Sequence, residues 1–131
     1  MSTPNQLDSL LIKAAFSQKT ERPPVWMMRQ AGRFMPEYWE IKNKYSFLEM
    51  CKTPEIAADV SMLPVDLLDI DAAILFSDIL VTGEAMGGDL SFTQGIGPKF
   101  ANPVRTAADV DALETEVGDR LQYVADAIKV V

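Results

Sequence analysis

The sequence predicts an α/β fold, and three features carry the prediction. The run "AAILF" at residues 72–76 holds five apolar residues with no alternation, the mark of a strand buried on both faces. A shorter apolar run, "VWMM" at residues 25–28, reads as an earlier buried strand. Segments of helical period open on start signals before and between these runs, an order that suggests βαβ units and a parallel sheet.

Taken in order, Thr3, Pro4 and Gln6 form a capping-box start to an amphipathic helix. Leu7, Leu10, Leu11, Ala14 and Ala15 share one face of it, and it should end near Gln18. The polar stretch "QKTERPP" is a loop, and its prolines push their surroundings toward extended conformations before the first strand. Thr53, Pro54 and Glu55 repeat the helix-start signature, with Ile56, Val60, Leu63 and Leu67 at spacings of about four, three and four. Pro64 removes one backbone donor and should kink that helix.

Beyond the second strand, "LSFTQGIGPKF" predicts a small hairpin that turns near Gln94 and Gly95 and ends at Pro98. Thr106 to Asp109 fits another capping box. Leu121, Val124, Ala125, Ile128 and Val131 then form a final amphipathic stripe. No glycine cap closes that stripe, which is expected of a chain that belongs to something longer.

The 131 residues correspond to one ordinary domain, with the 48% hydrophobic and 24% charged content of a soluble globular protein. A net charge of −7 argues against general nucleic-acid binding. Residues 19–52 nevertheless carry seven basic against four acidic side chains, a positive island suited to a small anionic partner, although solvated charge clusters are common. Cys51 is the only cysteine, which fits a reducing cytoplasm and a buried spectator role. The absence of histidine removes His-assisted catalysis and the common zinc constellations from these residues. No signal-peptide pattern and no run of roughly 18 apolar residues is present, so no membrane association is expected.

Two stretches could carry chemistry. In "RQAGR", Arg29 and Arg33 flank Gly32 just after the first apolar run, where parallel α/β folds place their sites. Guanidinium forks bind carboxylates or phosphates bidentately, and glycine lets the backbone bend or approach a ligand. The plain alternative is two surface arginines pairing with Glu37 or Glu40. In "FSDIL", Asp78 follows the second run and should stand at a strand's C-terminal mouth; Ser77 or Asp78 could equally cap the segment "ILVTGEAMGG". "GEAMGGD" lacks the spacing of a phosphate-cradling loop. Trp26, Trp39 and the seven methionines are expected in the core or a pocket wall, and Asp69 and Asp71 are expected as solvated loop carboxylates.

The motifs "VWMMRQAGRFMPEY" and "DAAILFSDILV" resemble the two N-terminal motifs of the uroporphyrinogen decarboxylase family. The similarity runs from the opening helix through "GIGP" to the final helix, and two long, chemically unusual motifs in the right order are a specific signal. The resemblance implies that residues 1–131 are the N-terminal segment of a single (β/α)8 TIM-barrel domain, since a barrel takes about 250 residues. It also implies a cytoplasmic enzyme that is a homodimer when complete.

The family's activity is cofactor-free, stepwise decarboxylation of the acetate side chains of uroporphyrinogen III to give coproporphyrinogen III. By this resemblance Arg29 and Arg33 pair with substrate carboxylates, Gln30, Ala31 and Gly32 shape the same loop, and Asp78 accepts hydrogen bonds from the pyrrole N–H groups as the catalytic carboxylate. No metal site is implied, and no proton donor is assigned. The family's later pocket residues have no counterpart in these residues, so catalysis by this chain alone is not expected. Two other readings remain open. One is the corrinoid-linked methyltransferases of the same superfamily, whose zinc ligands come from later segments, and the other is a non-catalytic truncated polypeptide.

Overall fold

The computed structural model describes residues 9–26, 34–93 and 95–131. Seven α-helices and one two-stranded sheet are found among them. Helix α1 spans Leu10–Ala15, with Ser9 as its N-cap accepting from the Ile12 amide at 3.2 Å. The expected Thr3 start lies outside the described residues. The helix also stops before Gln18, because Ser17 turns into the left-handed region at φ 56°. None of its side chains is buried, so the predicted apolar face meets no core among the described residues.

Two short helices follow in a region that the apolar patterning left unassigned. Helix α2 spans Pro36–Lys42, with proline in its first turn, where the missing N–H removes no helical bond. Helix α3 spans Phe47–Lys52 behind a full capping box, Ser46 with Glu49. Helix α4, Pro54–Leu68, starts at Thr53 and Pro54 as its sequence predicts and continues as one helix through Pro64, which is buried. Its inward face combines Val60 with Ala57, Ala58, Ser61 and Pro64, while Leu67 remains 49% exposed. The helix ends at Asp69, in the left-handed conformation at φ 50°.

Helix α5 spans Val81–Ala85, and strands β1 (Leu90–Thr93) and β2 (Gly97–Phe100) form the predicted hairpin, pairing antiparallel from Leu90 opposite Phe100 to Thr93 opposite Gly97. Gln94 lies outside the described residues. Pro98 does not end the hairpin; it sits within β2 opposite Phe92, as a two-stranded sheet permits because each strand has an unpaired side. Gly88 explains part of the glycine cluster: a Cβ there would lie 2.5 Å from the Phe100 ring and 2.7 Å from the Gly83 carbonyl. Helix α6, Ala107–Asp111, carries the expected Thr106 and Asp109 capping box.

A 3-10 turn at Gly118–Leu121 leads into α7, Gln122–Val130, which packs along α4. The buried residue of α7 is Ala127, a small residue outside the predicted stripe, whereas Ile128 is 63% exposed. Close approach of two helices favours the small side chain, and the sequence period by itself does not say which face a neighbour will take. No helix among the described residues is long and apolar enough to cross a membrane.

The core joins Met35, Tyr38, Met50 and Val60, with Ile41, Ile56, Leu63 and Phe76 packed against it. Met50 and Val60 are fully buried. Trp26 and Trp39 are 42% and 44% exposed, so Tyr38 rather than a tryptophan supplies the buried aromatic ring.

Residues 72–76 do not form a regular strand, and the sheet seen among the described residues is antiparallel. A strand exists only through the ladder its backbone makes with neighbours. Just ahead of the second predicted strand segment, the Asp71 amide donates to the Val25 carbonyl at 3.0 Å.

Asp71 is not a solvated loop carboxylate. Its oxygens accept from Arg22 Nη1 at 2.6 Å and Nη2 at 2.9 Å, and from the Val25 amide at 2.7 Å, leaving the side chain 13% exposed. The Arg22 hydrogen bonds, followed by the Val25 amide, hold this carboxyl below the usual carboxylate range. A depressed folded value stabilises the fold above the unfolded value of about 3.9, and that contribution disappears as pH falls through the lower folded value. Asp71→Asn is therefore expected to lower the urea midpoint near neutral pH and to flatten its decline below about pH 4. An unchanged acid dependence would exclude the clamp.

Candidate active site

Asp78 is half-buried just ahead of α5. Its Oδ1 accepts from the Leu80 amide at 2.8 Å, and its carbonyl accepts from the Val81 amide at 3.3 Å. Leu80, rather than Ser77 or Asp78, is the N-cap of α5 and makes no side-chain cap bond. Asp78 thus satisfies a donor near the helix start through a short i to i+2 turn, a local preference of aspartate. That bond uses one carboxylate oxygen. Among the described residues the side chain makes no other hydrogen bond.

The approach to Asp78 is fixed two residues upstream. The Phe76 ring packs against Tyr38 and Phe47, at centroid distances of 6.3 and 5.7 Å. The Phe76 amide donates to Ser61 Oγ at 2.7 Å. Ser61 is 1% exposed and is the only buried polar side chain among the described residues. Sequence reading missed it, because a serine within a helical apolar pattern looks like a tolerated small residue; its one signal was its position next to Val60 on the buried face.

Arg29, Gln30, Ala31, Gly32 and Arg33 lie outside the described residues. The segments on either side are both tied to the segment that leads to Asp78. Upstream, Val25 exchanges two hydrogen bonds with Asp71. Downstream, Met35 is 3% exposed in the core against which Phe76 packs. The fold therefore holds the flanks of the "RQAGR" stretch beside the start and end of the "AAILF" run.

The positive island is partly neutralised by the fold. Arg22 pairs with Asp71, and Lys52 pairs with Glu84 at 2.7 Å, both acids coming from the acidic remainder of the sequence. Cys51 is buried at 2% exposure. Burial pushes its thiol up to about 12, and the Asp78 charge acts in the same direction, so Cys51 is a packed spectator rather than a nucleophile.

An open cavity of about 670 Å³ lies away from these residues, between the hairpin and α6, lined in part by Gly88, Phe100, Val104 and Leu113. Asp78 is not among its lining residues.

Residues 6–131 match the family described as Uroporphyrinogen decarboxylase (URO-D). The chain is 50% identical over 123 residues to "Uroporphyrinogen decarboxylase" of Chloroherpeton thalassium, a match that covers 93% of this chain and 35% of that protein. It is 52% identical over 123 residues to the protein of the same description from Nitratiruptor sp., covering 93% of this chain and 36% of the relative. For Chlorobaculum tepidum the identity is 48% over 123 residues, again 93% of this chain and 35% of the relative. The chain spans about a third of the length of these curated relatives. With a family match across nearly its whole length and half its residues shared with such proteins, this chain belongs to the uroporphyrinogen decarboxylase family.

Proposed function

We propose that residues 1–131 form the N-terminal part of a (β/α)8 barrel, with 25–28 and 72–76 as its first parallel strands, and that the complete barrel decarboxylates uroporphyrinogen III to coproporphyrinogen III. The observation that carries this reading is the tethering of the flanks of "RQAGR" to the segment ending at Asp78, through Val25 bonded to Asp71 and through Met35 in the core against which Phe76 packs. In the complete barrel, on this reading, both motifs serve one substrate site. Arg29 and Arg33 bind substrate carboxylates as bidentate forks, and Gln30, Ala31 and Gly32 shape the approach. Ile79, 90% exposed beside Asp78, offers apolar surface to a pyrrole ring.

The chemistry follows from the substrate. Protonation of the electron-rich α-carbon next to the ring carbon that bears the acetate arm turns the ring into an iminium-like cation conjugated to that arm. The C–C bond to the carboxylate then breaks, CO₂ leaves, and the electron pair neutralises the ring. Protonation of the resulting exocyclic methylene carbon gives the methyl group, and loss of the proton first added to the ring restores the aromatic pyrrole. The ring itself is the electron sink, so the reaction runs without a cofactor. Asp78, accepting from pyrrole N–H groups, stabilises the cationic ring more than the neutral one, and that difference is catalysis. The complete enzyme is proposed to be cytoplasmic and homodimeric.

The test joins this chain to the C-terminal two-thirds of the Nitratiruptor relative and follows the conversion of uroporphyrinogen by chromatography of the oxidised porphyrins. Coproporphyrinogen formation is expected, with Arg33→Ala raising KM at least about tenfold. A folded hybrid that leaves uroporphyrinogen untouched would overturn the reading.

A further inference from the structure

We infer that Ser61 is a positioning residue for the Asp78 carboxylate, an assignment that rests on the role proposed for Asp78. Its hydroxyl is fully enclosed, and its two bonds run in opposite senses. Ser61 Oγ donates its proton to the Ala57 carbonyl at 2.6 Å, one turn back on α4, and accepts from the Phe76 amide at 2.7 Å. With the proton committed to its own helix, the oxygen offers only lone pairs to the neighbouring segment. It is thereby a one-way acceptor for a single backbone N–H.

That N–H belongs to the residue from which the chain reaches Asp78. The Phe76 ring fixes the side-chain end against Tyr38 and Phe47, and Ser61 fixes the backbone end against α4. Two residues later the backbone is held again, by the turn from Asp78 Oδ1 to the Leu80 amide and by Val81, which is 4% exposed. Asp78 therefore stands on a short bridge anchored at both ends, and Ser61 is the polar anchor on the upstream side. Without the acceptor, the Phe76 amide lies partly buried with no partner, and the segment must move to reach water. Displacement of about 1 Å at a reacting group costs on the order of a hundredfold in rate.

The experiment uses the same hybrid enzyme and a double-mutant cycle. Ser61→Ala is expected to lower kcat about ten- to a hundredfold, with KM changed less than about threefold. In an Asp78→Asn background the same change is expected to add no more than about twofold, because a positioning residue has nothing left to position. Equal losses in both backgrounds would assign Ser61 to general structure and overturn the inference, as would kcat within about twofold of the parent. Ser61→Cys, close in volume but a weaker acceptor, serves if the alanine variant does not fold: a reduced kcat supports the inference, and parent-level kcat overturns it. Full activity of Asp78→Asn alone would instead overturn the role of Asp78, so the two failures are told apart.

Discussion

Asp78→Asn is expected to reduce kcat of the completed enzyme about a thousandfold, the largest catalytic effect of any single substitution in this chain. One charge pair at about 4 Å in an effective dielectric near 20 is worth roughly 4 kcal/mol, and each 1.36 kcal/mol of barrier is about tenfold in rate. Asparagine keeps the shape and the acceptor that receives the Leu80 amide, so the turn ahead of α5 survives. In the proposed reaction asparagine loses the negative charge that would favour the cationic ring, and its amide N–H groups would oppose the pyrrole donors. The measurement is kcat by porphyrin chromatography beside a thermal melt of the same preparation. Loss of rate with an unchanged melt is the expected pair of results. Parent-level turnover in a folded variant would remove the electrostatic role.

The largest expected stability effect lies at Met50. Its side chain is fully buried in the core formed with Met35, Tyr38 and Val60. Met50→Ala removes that side chain and leaves a cavity where α3 meets the core, at a cost of about 2–5 kcal/mol. A domain is stable by only about 5–15 kcal/mol, so this is a large share of the total. Met50→Leu conserves volume and is expected to cost under about 1.5 kcal/mol. Urea midpoints of the two variants decide the matter: similar small losses would show that the site collapses around the missing atoms. Because Phe76 packs on the same core, the alanine variant is also expected to loosen the approach to Asp78.

The local signals were the most legible part of this protein. Thr53 with Pro54, Thr106 with Asp109 and the hairpin pairing all depend on residues within a few positions of one another, and all are present in the structure. The capping box at Ser46 and Glu49 was equally local, though the apolar pattern around it was too short to declare a helix. The family was legible for a different reason. Long motifs of unusual residues survive as text even where the backbone around them is not described, as for Arg29 to Arg33.

Long-range partners were not legible. Asp71 looked like a loop acid because nothing nearby in sequence requires its charge, yet Arg22, 49 residues away, takes both of its oxygens. The period of α7 predicts a stripe that includes Ile128, but the residue the fold buries is Ala127. Ser61 gave little sign of its role, because its partner amide lies 15 residues further on.

By itself the sequence determined the helix starts at Thr53 and Thr106, the hairpin pairing and the family. Capping, turn chemistry and motif spacing are properties of neighbouring residues, and they need no fold to be read. Only the tertiary structure decided which charges are paired, which helix face is buried, and how the Asp78 segment is anchored. Those outcomes depend on surfaces that meet only after the chain has closed on itself, when desolvation and close packing favour one set of partners over the others.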